Sequence, residues 1–300
     1  MKAIDIRHDF TGVGNLFTFI PIADTHMLVD TDSEEAYQPL DPEAWIYLNK
    51  CVKEVKSNPR YYGKLYGATL ADLTEIERTS VRKQHKCLKK NDRKAQDSLY
   101  IHILRERIIP KFIRLFKGIK FIGGVAGNHL IEFFDHKDGI NSDEYIVRKL
   151  GGTYLGESKG LINFHIRGGA SDKTSVLIRA VILHGTKGGS KATIIRELQK
   201  LAYLYGKIDL VVMAHAHDPM THFHCKLDLP EKENGRMKKH ECLVVCLGST
   251  RDGEKMGYDD YVERCNYPPS AGRFPMIICH AYKPSHANNN IEIKLRPIIM

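Results

Sequence analysis

Five apolar runs in this 300-residue chain each end on side chains whose oxygen or imidazole nitrogen can hold a metal ion. IPIADTH (20–26) carries Asp24 and His26, YGATLADLTE (66–75) carries Asp72, and VAGNH (125–129) carries Asn128 and His129. ILHG (182–185) adds His184, and VVMAHAH (211–217) adds His215 and His217. A strand holds its last side chain rigidly at a sheet edge, and a small residue before it lets backbone and ion approach closely. Two divalent cations about 3.5 to 4 Å apart can bind a phosphate ester, supply a hydroxide nucleophile and neutralise charge in an in-line displacement. Carboxylate, amide oxygen and imidazole suit hard and borderline cations, and no motif contains the thiolate of a structural zinc site. Any one of these motifs alone reads as a turn, a cap or a buried histidine. Together they read as the ligand set of a two-metal hydrolase.

Taken in order, D-x-H, G-D, G-N-H, H and G-H-x-H resemble the calcineurin-like metallophosphoesterase superfamily over residues 17–217. GNHLIEF, LGGTYLG and the apolar segments before ILHG are similar to the compact members of bacteria and their phages. The resemblance implies an α/β fold, a four-layer α-β-β-α sandwich occupying residues 1–300 as one domain, with a basic helical insertion at 77–118. It implies that Asp24, His26 and His217 bind one metal, that Asn128, His184 and His215 bind the other, and that Asp72 bridges them. It implies His129 as proton donor to the leaving oxygen or hydrogen-bond partner of the phosphoryl group, beside a metal-activated hydroxide. Two divalent ions are expected, manganese first, with iron, zinc, nickel and magnesium as alternatives.

The chain departs from that pattern in three ways. Alanine replaces the usual glycine at Ala23, Ala71 and Ala214. The second motif can be aligned on Ala71-Asp72, which fits the G-D-L-x-D/E shape, or on Gly67-Ala68, which puts alanine where the bridging carboxylate belongs. The acidic residue that often follows G-N-H is Leu130, so whatever orients His129 must come from elsewhere.

The elements that must position these groups are partly legible. LFTFIPIAD reads as a strand, and PEAWIYLNKCVKEVK as a helix with Asp41 as cap and Pro42 at its first position. Strands run into Asp72 and Asn128, and 141–150 reads as a helix stopped by Gly151-Gly152. SKATIIRELQKLAYLYG has helical spacing with Ser190 as its cap, and IDLVVMAHAH returns to a sheet. ECLVVCLGS, RFPMIICHAY and NIEIKLRPII are expected to form the second sheet. Ile101, Leu104, Ile108, Phe112 and Leu115 recur at helical spacing, with Pro110 expected to kink that helix. GTKGGS after His184 is either a flexible loop or a source of backbone amides for a phosphate. YDDYVERCNYPPSAGRFP (258–275) resembles the closing loop of the compact family members.

Composition is that of a globular protein, 42% hydrophobic and 27% charged, and its seven scattered cysteines speak against a complete disulfide framework. Cys242 and Cys246 in CLVVC read as small hydrophobes of a strand. No run approaches the about 20 apolar residues of a membrane span, and MKAIDIRHDF lacks a signal peptide's apolar stretch. A soluble chain of the cytoplasm is expected, that of the host if phage-encoded. The formal net charge is +9. Arg78, Arg82, Lys83, Lys86, Lys89, Lys90, Arg93 and Lys94 form a basic arm able to contact nucleic-acid phosphates, or simply a solvated face. His222 and His224 alternate on one strand face, lining a pocket or lying on the surface. The expected reaction is hydrolysis of phosphodiester bonds in nucleic acid or nucleotides. A phosphomonoesterase on a small molecule or phosphoprotein and an inert partner-binding scaffold are the alternatives.

Overall fold

The computed structural model describes residues 1–10, 14–28, 42–58, 64–75, 90–128, 130–133, 140–168, 175–185, 191–204, 206–216, 219–228, 238–248, 275–282 and 292–299. In chain order these form β1 (Lys2–Phe10), β2 (Gly14–Ile22), β3 (Met27–Leu28), α1 (Pro42–Ser57), β4 (Lys64–Thr69), β5 (Thr74–Glu75) and α2 (Lys90–Ile103). A π-helical turn (Leu104–Ile108), α3 (Ile109–Leu115), β6 (Lys120–Gly124), α4 (Ser142–Lys149), β7 (Thr153–Tyr154), β8 (Lys159–Gly168) and β9 (Ser175–Leu183) follow. The remainder is α5 (Lys191–Leu204), β10 (Leu210–Met213), β11 (Met220–Asp228), β12 (Lys238–Cys246), β13 (Pro275–Tyr282) and β14 (Glu292–Ile299).

Two six-stranded sheets carry the molecule, ordered β1-β8-β9-β10-β12-β11 and β14-β13-β2-β4-β6-β7. Within the second, β2, β4 and β6 run parallel, with Ile22 opposite Thr69 and Thr69 opposite Gly124. Their carboxyl ends therefore align at one edge. Within the first, β9 and β10 run parallel with Leu183 opposite Met213, which aligns the chain leaving each strand. Loops at the carboxyl ends of parallel strands are where α/β sheets place ligand-binding groups.

Burial follows the strand period. One cluster joins inward side chains of both sheets, including Phe17, Phe19, Tyr66, Ile162, Phe164, Val212 and Leu243. Phe17 stacks on Phe164 with ring centroids 4.6 Å apart. Ile20, Ile22 and Phe121 instead face Leu48, Val52 and Val55 of α1, Tyr100 of α2, Phe112 of α3 and Ile146 of α4. On the other sheet, Val181, Val211 and Val244 face Ile194, Leu198 and Ala202 of α5. The apolar stripe read at helical spacing in 190–206 is thus what docks α5. Among the described residues no helix is long and apolar enough to cross a membrane.

One expectation is corrected. The three C-terminal strands do not share one sheet: β12 pairs with β10 and β11, whereas β13 inserts between β2 and β14. Cys242 and Cys246 are buried against α5, which suits β12 to the interior of its sheet. Pro110 lies within an unbroken helical run from Lys90 to Leu115, where a π-helical turn gives way to α3. That turn, with Leu104 and Ile108 buried, ends two residues before the proline, beside the residue expected to disturb the helix.

Candidate metal centre

The chain turns sharply as it leaves β2, β4 and β10, and the backbone records the turn. Among the described residues, the non-glycine positions with positive φ are Asp24 (49°), His26 (41°), Ala71 (78°), Asp72 (49°) and His215 (71°). Left-handed backbone costs an L-residue about 1–2 kcal/mol and clusters where function over-determines geometry. Asp and His tolerate it better than most side chains, but alanine does not, and Ala71 stands where a glycine would relieve the strain.

Hydrogen bonds lash the turns together. Asp24 N–H donates to the Ala71 carbonyl (3.0 Å), His26 N–H to that of Asp72 (3.1 Å), and Met27 N–H to that of Leu73 (2.9 Å). The Thr25 hydroxyl also donates to the Leu73 carbonyl. The two sheets meet where His215 N–H donates to Asp24 Oδ2 (3.0 Å).

Six of the sequence-selected residues converge. Single ligand atoms of Asp24, His26 and Asp72 lie within 4.8 Å of one another, and so do those of Asp72, His184 and His215. Asp72 belongs to both groups. Asn128 Oδ1 joins the second at 2.9 Å from His184 Nε2. Ala68, by contrast, is packed between the sheets. The Gly67-Ala68 alignment would therefore put the second motif inside β4, away from the cluster. His129 and His217 lie outside the described residues, as do GTKGGS from Thr186 onward, residues 258–274, Asp41, Ser190 and the arm from Arg78 to Lys89. Lys90, Arg93 and Lys94 fall in α2. His222 is exposed, and the His224 ring meets Tyr203 of α5 edge-on at 4.9 Å.

The protonation pattern at His184 tests whether a cation fits. A carbonyl can only accept, so the 2.8 Å contact to Leu70 O assigns the proton to Nδ1. Nε2 then points at Asp72 Oδ2 (2.9 Å), Asn128 Oδ1 (2.9 Å) and His215 Nδ1 (3.2 Å). With the Nε2 of His184 and the Nδ1 of His215 both unprotonated, four lone pairs would face one another. A proton on either of those nitrogens, or a metal ion, resolves this. Burial opposes the imidazolium, but the hydrogen bond and charge of Asp72, helped by Asp24, raise the His184 pKa to about 9. A divalent cation would satisfy all four donors at once, and the carboxylate, amide and imidazole set fits such an ion.

Sequence reasoning missed Asp143. It is fully buried in the first turn of α4, where its Oδ2 accepts the Gly127 N–H at 3.1 Å and its carboxylate also accepts from the Leu73 backbone. Burial, and then the charge of Asp72, push its pKa up to about 7 against those hydrogen bonds. Nothing in NSDEY distinguishes it from an ordinary helix-start acid, a common stabilising placement. Gly127 is fitted just as closely: a Cβ there would collide with the Asp72 carboxylate.

No protein-family model matches the sequence, and no curated protein does. Among solved structures, the chain is similar to Vps29 of Chaetomium thermophilum, at 11% identity and a TM-score of 0.32, covering 95% of this chain and 97% of that one. It is also similar to a conserved uncharacterized protein of Streptococcus pneumoniae described as a predicted phosphoesterase, at 12% identity and a TM-score of 0.28, covering 93% and 98%. Likeness this remote leaves the site to be argued from its own geometry.

Proposed function

We propose that the chain is a dinuclear metal-dependent phosphoesterase, a four-layer sandwich of the calcineurin-like kind, that hydrolyses phosphodiester bonds in nucleic acid or nucleotides. The convergence of Asp24, His26, Asp72, Asn128, His184 and His215 at the ends of parallel strands in two sheets is the observation that carries this reading. Asp24 and His26 would hold one ion with His217. Asn128, His184 and His215 would hold the other, and Asp72, common to both groups, would bridge them. Bound divalent ions would supply Lewis acidity toward phosphoryl oxygens and an activated hydroxide, with manganese proposed first and iron, zinc, nickel and magnesium as alternatives.

The chain's own residues have distinct tasks. Leu70 fixes the His184 tautomer through its carbonyl, so Nε2 faces the site with its lone pair. Asp24 holds the His215 loop through its backbone N–H, which joins the two sheets at the site. His129, next in sequence to Asn128, would protonate the leaving oxygen or steady the phosphoryl group. The arm from Arg78 to Lys94 would raise the local concentration of a polyanionic substrate.

The test is Mn²⁺-dependent hydrolysis of bis-p-nitrophenyl phosphate against p-nitrophenyl phosphate, with Asp72→Ala as control. Diester turnover lost in the variant supports the proposal. Preferential monoester turnover transfers it to a phosphomonoesterase, and silence on both esters despite bound metal favours a partner-binding scaffold.

A further inference from the structure

The start of α4 is tied to the candidate centre more closely than a helix cap requires. Asn141 caps conventionally, its side-chain oxygen accepting the Glu144 N–H at 2.8 Å. The side chains of the next two residues bond outside the helix. Ser142 Oγ accepts the Ile131 N–H at 2.9 Å, while Ser142 N–H donates to the Ile131 carbonyl at 2.8 Å. Asp143 reaches past them to the N–H groups of Gly127 and Leu73. Gly127 precedes Asn128 and Leu73 follows Asp72, so one carboxylate grips the backbone beside a candidate ligand on each of two separate strand-end loops. Both Ser142 and Asp143 are at most 1% exposed.

We propose that Asp143 is a positioning residue for the metal centre, setting the spacing of Asp72 and Asn128 through the Leu73 and Gly127 backbone, with Ser142 holding the far side of the same loop. The inference rests on the proposed metal centre. A buried carboxylate close to the Asp72 charge is costly to keep, and its hydrogen bonds to two loops that α4 must hold in register account for its place. Replacing such an outer support of a metal ligand lowers affinity by about 10- to 100-fold.

The experiment is calorimetric titration of the metal-stripped full chain with Mn²⁺, alongside circular dichroism and thermal melting of the metal-free form. It compares the wild type with Asp143→Asn, Ser142→Ala and Asp72→Ala. Asp143→Asn keeps the side chain's shape but removes its carboxylate. The expected result is Mn²⁺ affinity weakened about 10- to 100-fold in folded Asp143→Asn, and by a smaller factor in Ser142→Ala. A merely structural role would lower the melting temperature and leave the affinity of the folded chain unchanged. Wild-type affinity in Asp143→Asn overturns the positioning role while leaving the metal centre standing. Should Asp143→Asn fail to fold, wild-type affinity in Ser142→Ala overturns it instead. A wild type that binds no Mn²⁺ sinks the metal centre itself, and the positioning role with it.

Discussion

Gly127→Ala isolates the fit between the 127 backbone and the Asp72 carboxylate. Gly127 has no left-handed dihedral, so alanine incurs no backbone strain there, but its Cβ would stand 2.7 Å from Asp72 Cγ and closer still to Oδ1. Ordinary van der Waals separation begins at 3.4 Å. The Asp72 carboxylate or the 127 loop must therefore give way by more than the about 0.7 Å that the Cγ contact alone requires, beyond the about 0.5 Å tolerance of a preorganised site. Overpacking of this size costs about 1–3 kcal/mol of stability. A misplacement approaching an ångström costs up to about 100-fold in turnover. The control is Gly118→Ala, at φ 86° with nothing within 4 Å of the added methyl. It should lose about 1–2 kcal/mol through strain alone. Calorimetric Mn²⁺ titration and diester kinetics on both variants separate the cases. Gly118→Ala should bind as the wild type does, and Gly127→Ala should not. Wild-type Mn²⁺ affinity in Gly127→Ala would refute the placement of Asp72 against that backbone.

Ala71→Gly should be neutral or slightly stabilising: relief of about 1–2 kcal/mol of left-handed strain outweighs about 0.8 kcal/mol for the buried methyl. A marked fall in melting temperature would contradict it. His8, buried beside Tyr66 and Phe17, has its pKa lowered from 6.5 by burial and by Lys64. Its neutral form therefore contributes stability that is fully present above pH 6.5 and lost as pH falls toward the depressed value. Melting temperature should accordingly fall less steeply on acidification in His8→Phe than in the wild type, and identical slopes would refute this. Neutralising the basic residues between Arg78 and Lys94 should weaken polynucleotide binding and flatten its logarithmic salt slope by about 0.9 for each phosphate no longer neutralised. Hydrolysis of a small ester should not change, and an unaltered salt slope would return the segment to a solvated face.

The strand-edge placement of Asp24, Asp72, Asn128, His184 and His215 was legible because apolar runs ending in a small residue and then Asp, Asn or His leave few alternatives to a strand edge. Asp72 illustrates this: ADLTE suggested it over Gly67-Ala68, and it lies beyond β4, whereas Ala68 is packed between the sheets. Asp143 was not legible, because its partners Gly127 and Leu73 lie 16 and 70 residues away and only the packing of α4 reveals them. The sheet assignment of the C-terminal strands failed for the same reason: strand pairing is non-local, and β13 looks like β12 until its partner β2 is known. β1 drew no notice at all, since its alternation in KAIDIRHDF is short and its partner β8 begins 157 residues later. Pro110 marked the neighbourhood of the helix irregularity, but its form, a π-helical turn ending two residues earlier, has no sequence signal of its own.

Anomalous diffraction from crystals grown with Mn²⁺ tests the central claim most directly. The account predicts two peaks about 3.5–4 Å apart, one against Asp24 and His26, the other against Asn128, His184 and His215, with Asp72 between them. A single peak, or peaks not bridged by Asp72, would contradict it.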